Sequence, residues 1–352
     1  MTQELQEIRA LARDFATAAL RPHTETWDAR GTLDDDVAGK LAELGFFGML
    51  APEHAGGMGL DAPAWVAAVE ELAWGEAAVA VLVAHSVIAA DLIARYGSTA
   101  VQEQWLAALA TGAQVGCIAF ASADVRAHRT GDRWRIAGTT RWVANGDRAA
   151  VIVLRARAGD GATGVFVIPA GAGVRVAQRY GTLGLRPLAL VDMALDVTVP
   201  ASARLHDGAA DAAAEDALGR LSAAAIAVGI AQAALDHAVR YSGEREQFGR
   251  PIRSFEGLQR KLAEMATRTV AARALVERAA ADPDDPVRRA MAKLVAAECA
   301  MYVTTEAVQI FGGYGYMRDY PVEKLMRDAK AMEIMHGPNE VQRVRIAESL
   351  RA

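Results

Sequence analysis

The sequence predicts an α+β protein in three parts: a helical domain over residues 1–112, a β-rich domain over 113–208 and a helical bundle over 209–352. Three observations lead there. Apolar residues at both ends recur at the three-to-four spacing of a helix face. From about Gln114 the texture changes to short β-branched runs split by Gly, Asp and Pro. Between those runs there is no long helical stretch, which points to an antiparallel barrel or sandwich rather than a parallel βαβ sheet. A chain of 352 residues has room for two or three domains and a large core without disulfides or a structural metal.

Taken in order, Leu5, Ile8, Leu11 and Phe15 make Met1–Ala19 an amphipathic helix. Leu33–Leu44 closes on Gly45, a helix C-cap signal. Pro63 opens a helix carrying Trp65, Val69 and Leu72, and further helices cover Ala78–Tyr96 and Ser98–Ala110, the last with Ser98 as N-cap. The runs VGCIAF, DRWRIAGTTRWVANG, AAVIVLRA, GVFVIPA, GVRVAQ and ALVDMALDVTVP read as strands; Trp134 and Ile136 alternate with Arg, as in a half-buried strand. DGAADAAAEDALG reads as a linker running into a helix. Long Ala-rich helices follow over roughly 214–242, 254–281 and 286–311, punctuated by Pro251, Pro283, Pro286 and the FGGYGYMRDYP turn.

Composition excludes several classes. A net charge of −5 is too acidic for a general nucleic-acid binder. Cys117 and Cys299 form no CxxC pair, so a zinc site is not expected and a reducing compartment is. No GxGxxG opens a helix, which argues against a Rossmann site. The N-terminal segment lacks the apolar core of a signal peptide. The charge-free stretches Ala77–Ala90 and Leu221–Leu235 fall short of a membrane span. A cytoplasmic protein that engages neither membrane nor nucleic acid is expected.

Function enters through motifs. Glu244-Arg245-Glu246-Gln247-Phe248-Gly249-Arg250-Pro251-Ile252 resembles the ERxQFGxPI signature of the acyl-CoA dehydrogenase family. Gln309-Ile310-Phe311-Gly312-Gly313-Tyr314-Gly315-Tyr316 is similar to its QIxGGxGY, and Tyr320-Pro321-Val322-Glu323 to Asp328-Ala329-Lys330 is similar to its YPVExxxRDAK. Pro52–Leu60 resembles PEEYGGxGL, and Asn145-Gly146 ends a strand as the family's WITNG does. These motifs run in order along nearly the whole chain. The resemblance implies a helical domain, a central β domain and a C-terminal four-helix bundle, assembled as dimers or dimers of dimers. It also implies FAD and oxidation of an acyl-CoA thioester: a carboxylate takes the α-proton while the flavin takes the β-hydride. By the same resemblance Arg245, Gln247, Phe248, Gln309, Gly312 and Gly313 reach the FAD of a neighbouring subunit. An arginine fork suits a pyrophosphate, and glycines allow close approach to the backbone. The same resemblance implies that Trp142 covers the flavin ring and that Arg220 and Gly337 belong to the substrate site. No metal is implied.

Three departures bear on catalysis. The family commonly places Glu in IYEGTSEIQ; the matching run Ile334-Met335-His336-Gly337-Pro338-Asn339-Glu340-Val341-Gln342 has His336 there. A minority places its Glu before an arginine on the first bundle helix, where this chain has Gly219 before Arg220. The LTEPxxGSD stretch is missing, with Ser122 and Asp124 as its only possible remnants, and the WIT triad reads Trp142-Val143-Ala144, without the hydroxyl. The losses fall on the isoalloxazine side and spare the residues that serve a neighbour. The expectation is therefore a non-catalytic half of a hetero-oligomer, sharing FAD with a homologous partner, with His336 a packing residue. Two alternatives stay open: an autonomous dehydrogenase using His336 as its base, and a flavin-dependent monooxygenase of the same fold. The acyl group is not specified.

Overall fold

Helices start where a side chain can accept the free backbone N–H groups of a first turn. In the computed structural model, which describes residues 2–121, 124–159, 161–282 and 284–351 (side chains at 213–215 excepted), Thr2 caps α1 (Gln3–Phe15), Asp61 caps α4 (Ala62–Gly75), Glu76 caps α5 (Ala77–Tyr96) and Ser98 caps α6 (Thr99–Ala110). Between α1 and α4 lie two short α-helices, α2 (Thr24–Arg30) and α3 (Val37–Glu43), with single π and 3-10 turns around them; the helix expected from Leu33 starts four residues later. Leu5, Ile8 and Phe15 of α1 pack on the helical core.

α5 is apolar on nearly every face because it is covered on nearly every side: α4, α6 and the sheet all pack against it. By length and composition three helices among the described residues, α5 one of them, are long and apolar enough to cross a membrane, contrary to expectation. In α5 the hydrophobic window is 89% buried inside the fold, so internal packing accounts for it.

The β domain has strands β1 (Gly116–Ala119), β2 (Arg126–Thr130), β3 (Arg133–Ala144), β4 (Val151–Ala158), β5 (Thr163–Pro169), β6 (Val174–Arg179) and β7 (Leu190–Pro200). They form a seven-stranded sheet in the order β1-β4-β2-β3-β7-β6, with β5 on the other side of β4. The sheet is mixed, not antiparallel as expected: β1 and β2 both run parallel to β4. The absence of a crossover helix excludes a βαβ unit, but a strand interrupted by a loop can still pair in parallel. Here β1 lies along the first half of β4 and β2 along the second, as two pieces of one interrupted strand. β2 was not anticipated. β4 shows the two-sided packing most clearly: Val151 and Val153 face the helices around α5, while Ile152 and Leu154 face the sheet's own core with Ile136 and Phe166.

After β7 the chain enters α7 (Ala209–Glu215) and α8 (Ala217–Glu244), makes a two-residue hairpin of β8 (Glu246–Gln247) and β9 (Arg250–Pro251), and continues as α9 (Glu256–Ala280) and α10 (Pro286–Phe311). α11 (Val322–Met332) and α12 (Asn339–Ser349) close the bundle. Alanines along the buried faces of α8 and α10 let these helices approach closely. Cys117 and Cys299 are buried free thiols; burial pushes both up, Cys299 to about 11.

Candidate active site

A cavity of about 760 Å³ opens where the three parts meet. α5 contributes His85, β3 contributes Trp142 and Ala144, the head of α8 contributes Asp216 and Arg220, and the turn between α11 and α12 contributes His336. Trp142 sits at a register shift between Thr140 and Val143, at φ 54°, with its backbone N–H donating to Asp192 Oδ1 at 3.1 Å. The bulge turns the indole out of the sheet, and Trp142 stays 58% exposed beside the cavity.

His336, expected as a packing residue, makes polar contacts through both ring nitrogens. Its Nδ1 lies 2.7 Å from Asp216 Oδ2. A carboxylate oxygen accepts, so Nδ1 carries the hydrogen and Nε2 of a neutral ring is left as the acceptor. Asp216 stands immediately before α8, where the positive end of the helix dipole favours a carboxylate. Gly219 makes room for the pair: a Cβ there would fall 2.2 Å from both Asp216 Oδ1 and His336 Nδ1. The space that a side chain at position 219 would occupy is thus taken up by an imidazole and its carboxylate. On the other side, His336 Nε2 is 3.3 Å from His85 Nε2, with the rings edge-on at 87°. Burial, and then the neighbouring His336, hold the His85 imidazole well below its ordinary range, so it stays neutral. His85 Nε2–H is then the donor to His336.

The turn bearing His336 is tied down from below. The buried Lys293 ammonium donates to Glu333 O (3.1 Å) and to Asn339 Oδ1 (2.8 Å), at the two ends of the turn. Burial lowers Lys293 to about 8. Gln342 Nε2 donates to Gly337 O at 2.9 Å. The RDAK motif braces the opposite wall: Arg327 donates to Asp28, Glu323 and Leu183 O, and Asp328 accepts from Leu185 N at 2.6 Å.

The remaining predicted residues lie elsewhere. Arg245 ends α8, its guanidinium 5.7 Å from the Tyr314 ring centroid. Gln247, Phe248 and Gln309 line a smaller hollow of about 320 Å³, and Phe248 is 93% exposed. Nothing in the chain lies within 4 Å of a Cβ built at Gly312 or Gly313, so internal packing gives no reason for glycine at Gly313. At Gly312, φ 59° supplies a conformational reason instead. The structure therefore splits the predicted set. Trp142, Arg220, His336 and Gly337 meet at the cavity; Arg245, Gln247, Phe248, Gln309, Gly312 and Gly313 meet at the far end of α8, about 37 Å from Arg220 at 1.5 Å per residue. Of the possible loop remnants, Asp124 is exposed with Arg141 Nη2 at 3.9 Å, and Ser122 lies outside the described residues. Ala144 is buried and offers no side-chain donor. Asp216, His85 and Lys293 were missed: Asp216 falls in an apparent linker, and His85 and Lys293 in apolar helical runs.

Fold and site together define an FAD-dependent oxidoreductase class, and the chain belongs to the acyl-CoA dehydrogenase family. The family's N-terminal domain model matches residues 2–113 and its C-terminal domain model residues 206–351. The chain is 36% identical over 375 residues to the probable acyl-CoA dehydrogenase YngJ of Bacillus subtilis (strain 168), covering 99% of this chain and 98% of that protein. It is 35% identical over 374 residues to the acryloyl-CoA reductase (NADH) of Anaerotignum propionicum, covering 99% and 95%. Among solved structures, butyryl-CoA dehydrogenase from Megasphaera elsdenii superposes with a TM-score of 0.96 at 34% identity, covering 100% of this chain and 99% of that one.

The family implies FAD, and the residues fit it. Trp142 presents an exposed indole face at the cavity, and Gly312 and Gly313 leave the backbone open beside the Arg245 cation. Trp142 would cover the flavin ring of one site, and Arg245, Gln247, Gln309 and the glycines would hold the dinucleotide of another.

Proposed function

We propose that this chain is an acyl-CoA-dehydrogenating subunit that carries its own proton acceptor, His336 braced by Asp216. The observation that supports this is the 2.7 Å Nδ1–Oδ2 contact at the cavity wall, in space kept clear by Gly219. Bound FAD would supply the hydride acceptor for the β-carbon. His336 Nε2 takes the α-proton, and Asp216 balances the imidazolium so formed while fixing the ring's tautomer and angle. His85 donates to the same nitrogen in the ligand-free chain, so proton transfer requires that bond to open. The apolar side chains of Leu185, Leu188 and Leu190 line the same cavity, and low-dielectric surroundings strengthen these interactions. The test is anaerobic mixing of the flavin-loaded protein with acyl-CoA: stoichiometric bleaching of the flavin is expected, and its absence would overturn the reading.

A second reading, that the chain also or only completes a neighbour's site, is favoured by the bundle edge, where Gly313 has no packing reason within the chain and Phe248 is 93% exposed. Charge-assisted hydrogen bonds from a guanidinium to a pyrophosphate contribute roughly 1.5–3 kcal/mol each. Arg245→Ala is therefore expected to weaken FAD binding in the assembled oligomer by about one to two powers of ten. Arg245→Lys should restore only part of this, because an ammonium lacks the planar fork. FAD occupancy by absorbance, with assembly checked by size exclusion, measures it; an intact and fully flavinylated Arg245→Ala oligomer rules out the edge as a cofactor site. A chain that serves only its neighbour purifies colourless on its own.

A further inference from the structure

A second cavity, of about 860 Å³, lies behind the first, between the C-terminal half of α5, the head of α8 and the start of α10. Among the described residues only Phe120 and Asp216 line both cavities. Asp216 presents Oδ2 to His336, so the second cavity begins one side chain away from the proton acceptor. Phe120, half-buried, is the first residue after β1. It opens the short connection to β2 where relatives of the family pattern carry the longer TEP/GSD stretch. Among the described residues, an aromatic ring and a carboxylate thus border both spaces.

The lining of the second cavity states what it would take. Ile88, Leu92, Tyr96 and Leu218 make an apolar wall, and the Asp91–Arg95 pair (3.3 Å) and Asp211 make a polar rim. We infer that the second cavity receives the distal part of the acyl group, passing between Phe120 and Asp216, and that the substrate is an acyl-CoA with a bulky, ring-bearing tail. This rests on the first cavity being the acyl-CoA site. Oδ1 of Asp216, buried without a hydrogen-bond partner, sits at the passage and would accept from a hydroxyl or N–H on such a tail.

The experiment measures binding without turnover, by calorimetry on the flavin-loaded oligomer, with butyryl-CoA and 5-phenylvaleryl-CoA. The wild type is expected to prefer the ring-bearing ligand by about tenfold or more, as expected for burying an aromatic ring. Ala212→Trp, which fills the second cavity from α7, should reduce that preference about tenfold. Phe120→Ala, which widens the passage, should preserve or increase it. Equal affinity of the wild type for both ligands, or a preference that Ala212→Trp leaves untouched, would overturn the inference. Because binding is read without chemistry, a preference that responds to Ala212→Trp in a protein whose flavin is never bleached sinks the proposed dehydrogenation and leaves the second cavity standing. Bleaching with no such preference does the reverse.

Discussion

His336→Ala is expected to slow flavin reduction by acyl-CoA by on the order of 10²–10⁴, the usual worth of a positioned acid–base group. FAD content and acyl-CoA affinity should stay near wild type, because the group acts on the proton and not on the dinucleotide. Asp216→Asn should give a smaller loss in the same step. The amide can still accept from Nδ1–H, so the ring angle survives, but it cannot balance the charge that forms on the imidazole. Gly219→Ala supplies a third arm that removes no functional group. Its methyl would arrive 2.2 Å from both members of the pair, so one must move, and the loss should approach that of His336→Ala. Rapid-mixing absorbance under anaerobic conditions separates reduction from binding. If all three variants reduce within twofold of wild type, His336 is not the proton acceptor and the chain works through its bundle edge.

How far the sequence reaches depends on the range of the interaction. Capping at Ser98 and the long bundle helices were legible because a cap and a periodicity are local. The parallel pairing of β1 and β2 with β4 was not, because β1 and β4 lie some thirty residues apart and nothing local encodes their direction. The motif residues were legible as a set, but their division between two ends of α8 needed the helix to be laid out in space. His336 was flagged because it stands where a glutamate was expected; its meaning was not, since Asp216 is 120 residues away and His85 is 251. Gly219 shows the difference most plainly. In sequence it is a position without a carboxylate, and in the structure it is the space that the histidine and its carboxylate share.

The second large effect concerns stability. Lys324 is buried, and its ammonium lies 2.9 Å from Glu76 and 2.6 Å from Asp328. Glu76 also caps α5, the helix that carries His85, and Asp328 holds Leu185 N at the cavity floor. One ammonium thus joins the head of α5, the bundle and the floor. Removing a single partner from such a group leaves uncompensated buried charge, at a cost of about 3–5 kcal/mol. Lys324→Met, which keeps most of the volume, is expected to lower the urea midpoint accordingly with an unchanged slope. The loss should depend on pH. Burial alone would lower Lys324, but Asp328 and Glu76 outweigh it and hold the ammonium above the ordinary lysine range, so its stabilisation is present throughout neutral pH and fades only as pH rises past that range. Burial already pushes the Glu76 carboxyl above its ordinary range against the pull of Lys324. Without the lysine that carboxyl rises further, so the folded variant takes up a proton that the unfolded chain does not hold, and its stability falls as pH rises. The deficit should therefore be smaller at pH 5 than at pH 8, and adding Glu76→Gln to Lys324→Met should recover part of it and flatten the pH dependence. A deficit that is equal at both pH values, or that Glu76→Gln deepens, would mean that the lysine contributes by filling space and not by its charge.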